Sequence, residues 1–168
     1  MWAFEAFDQI FERLRFRENV QECTGTGCDL DAALLVLDPI SPPPGTSLDV
    51  RTLDFVDNVN RCTGTECDVH NILQVIGDGV ATVSDVTIRG EGQCTGERCG
   101  VISSVLLDGV ASVTNLSVTD TEVICMGVDC TLRPLVSVTA GEGQTPNLSG
   151  IVLTNNRAGC VSQGCGFG

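Results

Sequence analysis

Cysteine is the residue whose type and spacing could do chemistry in this chain. All ten cysteines fall into five Cys-x4-Cys pairs: Cys23 with Cys28, Cys62 with Cys67, Cys94 with Cys99, Cys125 with Cys130, and Cys160 with Cys165. Three chemistries suit such pairs. The first is a disulfide within each pair. Thr-Gly in the middle of the first three copies favours a tight turn that brings the two sulfurs together. On the chain-entropy model each small loop stabilises by roughly 2 kcal/mol. The second is cross-linking between equivalent cysteines of stacked repeats. The third is metal binding by two converging pairs, although zinc sites usually show a shorter cysteine spacing. The within-pair disulfide is the assignment adopted for all ten cysteines; no metal and no cofactor is assigned. Cys-x-x-Cys is absent, which argues for a structural role over a redox one.

The other reactive residue types do not gather. Asp29, Asp31, Asp57, Asp78, Asp108 and Asp120 are spread over expected corners. Glycan-cleaving chemistry needs carboxylates grouped around one bond, or a cation held beside it. Asp29-x-Asp31 could touch Ca2+, but a solvated corner explains it as well. His70 is the only histidine, so no Ser-His-Asp or Cys-His set can be assembled. The expectation is a protein that is not an enzyme, with polysaccharide cleavage or carbohydrate binding as the alternative. Thr24-Gly25-Thr26 and Thr63-Gly64-Thr65 begin a Thr-x-Thr array of the kind a lattice- or ice-binding face needs, and Thr95-Gly96-Glu97 breaks it.

These pairs must be positioned by repeated elements. The first cysteines stand at 23, 62, 94, 125 and 160, so successive copies are 39, 32, 31 and 35 residues apart. Before each pair runs apolar-x-x-apolar-x-apolar: Phe11, Leu14, Phe16; Val50, Leu53, Phe55; Val83, Val86, Ile88; Val113, Leu116, Val118; Leu148, Ile151, Leu153. Three residues after each run stand Asn19, Asn58, Glu91, Thr121 and Asn156, a corner where stacked amides can bond from turn to turn. After the second cysteine the register continues with Leu30, Val69, Val101 and Leu132 two residues on. Leu34, Leu73, Val105 and Val136 follow six residues on, and Val36, Val75, Leu107 and Val138 eight residues on.

Self-similarity at this period means a solenoid. Alternating apolar residues and Gly-rich breakers select a right-handed parallel β-helix of about five turns, occupying 13–168. The apolar spacing of Phe4, Phe7, Phe11 and Leu14 predicts an amphipathic helix over 1–12, a candidate cap, with a strand competing near its end because Phe11 and Leu14 also fit the repeat. A leucine-rich-repeat solenoid is the alternative fold, with short helices over Asp29 to Leu37 and Asp68 to Ile76. Pro42-Pro43-Pro44-Gly45 reads as a protruding loop. The chain stops in mid-repeat, as a piece of a longer array would.

Phe16-Arg17-Glu18-Asn19 and Phe55-Val56-Asp57-Asn58 have the form Phe-x-x-Asn. This form resembles the repeats of the polymorphic outer membrane protein family, whose passenger regions are right-handed surface β-helices. The resemblance implies a surface or adhesive role.

Bulk properties narrow the partners. The net charge is -13, with nine arginines and no lysine. That surface opposes nucleic-acid phosphates and anionic lipid headgroups. No apolar run is long enough for membrane insertion. Ten paired cysteines fit an oxidising compartment, hence an extracellular or cell-surface location. The acidic residues Glu5, Asp8 and Glu12 interrupt any signal-peptide core at the N-terminus, so a signal would lie upstream. The specific partner is not fixed by the sequence; a surface glycan or protein is the class expected.

Overall fold

The computed structural model of the chain describes residues 8–30, 34–37, 47–70, 72–101, 104–161 and 164–167. Among them the regular elements are all β-strands, and they pair in parallel from one turn to the next. The protein is an all-β parallel β-solenoid. The same inward position recurs in each turn. Phe16 lies beside Phe55, Phe55 beside Ile88, Ile88 beside Val118 and Val118 beside Leu153. Parallel stacking about 4.8 Å apart requires this, because each strand buries its inward residue only against the same position above and below.

About three turns run from Val50 to Val83, from Val83 to Val113, and from Val113 to Leu148, while the circuit from Phe11 to Val50 passes through 38–46, outside the described residues. The five full turns expected from the repeats are not present. Five passages of one corner bound only four circuits, and the first of these runs partly outside the described residues. The expected helix over 1–12 is also overturned where it can be seen. Gln9–Glu12 is a strand, in register with Leu48 to Arg51. Phe11 sits in the stacking column beside Val50, and pairing with that strand satisfies its backbone where a helix would break the column. The solenoid therefore begins before residue 13; residues 1–7 lie outside the described residues. The leucine-rich-repeat alternative falls with its helices: Asp29–Leu30 and Leu34–Leu37 are strands, and Asp68 to Ile76 is extended wherever described. The Pro42–Gly45 loop lies outside the described residues.

Three columns of single left-handed residues turn the chain. The first is Arg13, Thr52, Asp85, Asn115 and Gly150; the second is Glu18, Asp57, Asp120 and Asn155; the third is Gly27, Glu66, Arg98, Asp129 and Gly164. Their φ angles lie between 49° and 85°. One such residue reverses the local bend without adding length, and Asp, Asn and Gly tolerate the conformation best. The second column skips one turn. Sequence alignment set Glu91 opposite Asn58, whereas the structure pairs Gly90 with Asn58 and Glu91 with Val59. The third copy lacks a counterpart of Asp57, so Arg89 leads straight into Gly90. A Cβ on Gly90 would come 2.5 Å from the Asn58 carbonyl oxygen, which is why glycine stands there.

Inside, one apolar cluster runs under the Val50, Leu53, Phe55 and Leu73, Val75 columns, and a second surrounds the cysteines with Leu30, Val69, Val101 and Leu132. The amide corner is a cross-turn bond. Asn58 Oδ1 accepts from the Asn19 backbone N–H at 3.2 Å and from Asn19 Nδ2 at 2.9 Å, while Asn58 Nδ2 donates to the Phe16 carbonyl at 2.9 Å. Asn156 repeats this toward Thr121 and Val118. Asn58 is buried. Asn58→Ala takes the partner from the Asn19 N–H and the Phe16 carbonyl at this part-buried corner, and is expected to cost about 1–3 kcal/mol in a urea melt. Asn156→Ala takes the partner from the N–H of buried Thr121 and the carbonyl of buried Val118, and is expected to cost a similar amount.

Candidate functional site

The cysteine corner forms as the within-pair assignment requires. All five disulfides link Cys-x4-Cys partners, with Cα–Cα distances from 5.8 to 6.2 Å. Each closes around a left-handed residue just before the second cysteine, the third corner column. The pairs stack in register: Cys23 beside Cys62, Cys62 beside Cys94, Cys94 beside Cys125, and Cys125 beside Cys160. Sγ of Cys62, Cys94 and Cys125 lies 3.8, 3.5 and 3.6 Å from the carbonyl oxygen of the second cysteine one turn before. A disulfide sulfur has no proton to donate, so these are packing contacts that seat each bridge on the turn beside it. The three inner bridges are at most 1% exposed. No cysteine is free, which removes the cross-turn alternative and leaves no thiolate for a metal in this oxidised form.

Thr24, Thr26 and Thr63 stand exposed on the outer side of this corner, and the hydroxyls of Thr26 and Thr65 bond at 3.1 Å. Glu97 takes the next place beside Thr65, so this part of the array has two rungs.

The charged residues form rungs between turns. Arg51 pairs with Glu12 at 2.7 Å, Arg61 with Glu22 at 3.3 Å and Arg157 with Glu122 at 2.9 Å. Arg17 pairs with Asp54 and Arg98 with Glu66. Arg89 grips Asp57 through Nε and a terminal nitrogen, both at 2.9 Å. The hydrogen bond to Asp57, then its charge, raises the Arg89 pKa above the ordinary guanidinium value. Sequence reasoning missed these rungs. Placing the repeats in register would have shown them, because Glu12 falls beside Arg51, Glu22 beside Arg61, and Glu122 beside Arg157.

The scattered acids do not converge. Asp57 and Asp120 are corner residues. Asp29 Oδ1 meets His70 Nε2 at 2.8 Å, a local pair on neighbouring turns. Asp31 lies outside the described residues, as does the side chain of Asp78; the register sets Asp108 beside Ile76. A shallow groove of 650 Å3 passes over Arg13, Arg15, Asp54 and Asp85. Its two carboxylates are already engaged, Asp54 by Arg17 and Asp85 by Asn115 Nδ2 at 2.9 Å. A smaller groove of 330 Å3 lies over Asp68, Arg98, Asp129 and Arg133.

Among the described residues, no helix is long and apolar enough to cross a membrane. No protein-family model matches the chain, and no curated protein and no solved structure matches it either. The resemblance to polymorphic outer membrane protein repeats is therefore without support from any family match. The two phenylalanines that carried it have a packing role: the rings of Phe16 and Phe55 stack with centroids 4.8 Å apart and planes 4° from parallel. The repeated disulfides are of the kind that persists in an oxidising environment.

Proposed function

We propose that this chain is a disulfide-stapled β-solenoid module that works outside the cell or on its surface, as a stiff structural or adhesive element without catalysis. The observation that carries the reading is the column of five stacked disulfides at one corner. Such a column stiffens every turn in turn and suits a compartment where thiols are not kept reduced. The cross-turn arginine rungs support the same reading, because they spend the charged side chains on holding turns together rather than on a reaction centre. The winding we assign is right-handed, the hand that parallel β-crossovers take in nearly all cases. An acidic surface of net charge -13 selects a basic patch on a protein partner, or a neutral glycan, over an anionic polymer.

The test is to isolate the protein from its own source under conditions that trap thiols, and to map its cysteines without reduction. Five within-pair links and no trapped thiol are expected. Thiols trapped at all five pairs would sink the extracellular reading. Cleavage of acidic polysaccharides, with or without Ca2+, would sink the non-catalytic reading independently.

A further inference from the structure

The two ends of the cysteine column hold a second chemistry that the disulfides conceal. The sulfurs of Cys28, Cys62 and Cys67 all lie within 4.8 Å of one another, and all three residues are buried. The sulfurs of Cys130, Cys160 and Cys165 lie equally close at the other end, where Cys130 is buried and the other two are half-buried. Each trio joins one whole pair to one cysteine of the neighbouring turn. The fourth cysteine of the two pairs, Cys23 or Cys125, is bonded to a member of its trio. Among the described residues the middle of the column forms no such group.

Opened, each end offers four thiols in one small volume. A tetrahedral ion with metal–sulfur bonds of about 2.3 Å holds its sulfurs roughly 3.8 Å apart. Within each trio the cross-turn sulfurs must close by about 1 Å at most to reach that spacing, a broken pair must part by about 1.7 Å, and the fourth sulfur, of Cys23 or Cys125, stands outside the trio and must swing further. Within-pair Cα–Cα distances of 5.8 to 6.2 Å leave room for this by side-chain rotation, so in the reduced chain metal binding and re-formation of the stack go together. An all-thiolate set is soft, and it selects zinc-type ions over the oxygen-seeking Ca2+ and Mg2+. Leu30 and Val69 flank one end and Leu132 the other.

We propose that the reduced chain binds two zinc-type divalent cations. One sits at Cys23, Cys28, Cys62 and Cys67, the other at Cys125, Cys130, Cys160 and Cys165. Cys94 and Cys99, between them, are not ligands. The reductant is a phosphine. It attacks one sulfur of a disulfide, the other leaves as thiolate, and water delivers the oxygen of the phosphine oxide and the protons of two thiols. Each metal ion then displaces four protons to the buffer and leaves a site of charge -2. This concerns the reduced state, whereas the structural reading above concerns the oxidised one, so either can fail without the other.

The intact chain is reduced anaerobically with a water-soluble phosphine and titrated with Co2+, whose thiolate charge-transfer and tetrahedral d–d bands report the ligand set. Native mass spectrometry with Zn2+ counts the ions. Two ions per chain are expected. Loose thiols also gather metal, so the decisive comparison is among variants that each keep eight cysteines. C94S/C99S is expected to bind two ions, whereas C28S/C67S and C130S/C160S each bind one. The same stoichiometry in all three variants would overturn the proposal, and so would the lack of a thiolate-to-cobalt band. Should the double variants lose their β-sheet circular dichroism, single C67S and C160S carry the same comparison. Each is expected to weaken one cobalt step and leave the other.

Discussion

A Gly96→Ala chain is expected to lose about 4 kcal/mol or more of stability, an effect at the far end of what single substitutions do. The reason lies in the column Gly25, Gly64, Gly96 and Gly127, which runs along the cysteine corner. A Cβ on Gly96 would stand 1.6 Å from the Gly64 carbonyl oxygen. Gly64 and Gly127 meet the same obstacle, at 1.7 Å from the oxygen of Gly25 and of Gly96. The obstructing atom is backbone on the neighbouring strand, so no rotamer relieves it. The two turns must part, and the ladder bonds on either side of the corner go with them. The φ of +149° at Gly96 adds strain that a side chain does not tolerate. Gly25 separates the two causes. Its φ is +133°, yet nothing lies within 4 Å of its Cβ position. Gly25→Ala is therefore expected to cost only the backbone strain, about 1–3 kcal/mol. Urea melts followed by circular dichroism measure both. Equal losses for the two variants would mean that the turns do not stack in this register.

The motif Cys-Thr-Gly thus carries two constraints, and the sequence displayed only one of them openly. Cysteine pairing was legible because the pairs exhaust the cysteines and keep one spacing. The inward columns were legible for a similar reason: a parallel stack buries each position against its own copies, so residue type must repeat turn after turn. Where a second pattern fits the same residues, the reading failed. Phe4, Phe7, Phe11 and Leu14 are spaced for a helix, yet Phe11 also fits the stacking column, and pairing with Leu48 to Arg51 decides for the strand. A single-residue difference misled in the same way at Glu91, because the left-handed corner residue present in the second turn as Asp57 has no counterpart in the third. The arginine rungs were hidden for another reason. An ion pair between turns joins residues 32 to 39 apart, which no local pattern reveals. Among the described residues, Asp29, Asp57, Asp108 and Asp120 have separate partners: His70, Arg89, Thr139 and Asn155.

Full reduction is the second large effect, and its order is as informative as its size. Each bridge closes a six-residue loop, and the chain-entropy model gives about 2 kcal/mol per loop. Five loops then amount to about 10 kcal/mol, comparable with the whole stability of an ordinary domain. The reduced, metal-free chain is expected to lose most of its sheet signal at room temperature. The bridges do not open together, however. Cys23, Cys160 and Cys165 are half-buried, whereas Cys62, Cys67, Cys94, Cys99, Cys125 and Cys130 are at most 1% exposed. A reductant reaches the two end bridges in the folded chain, but it reaches the inner three only when the stack opens. Quenching with a thiol tag at intervals is expected to show four tags per chain early and ten late, with loss of circular dichroism following the second phase. Ten tags appearing in one step would mean that the inner bridges are not sealed by their neighbours. Ten tags with an unchanged melting temperature would mean that the apolar columns hold the solenoid alone. In the expected outcome the corner and the core depend on each other: the disulfides limit the freedom of the opened chain, and the stacked valines and leucines keep reductant away from the disulfides.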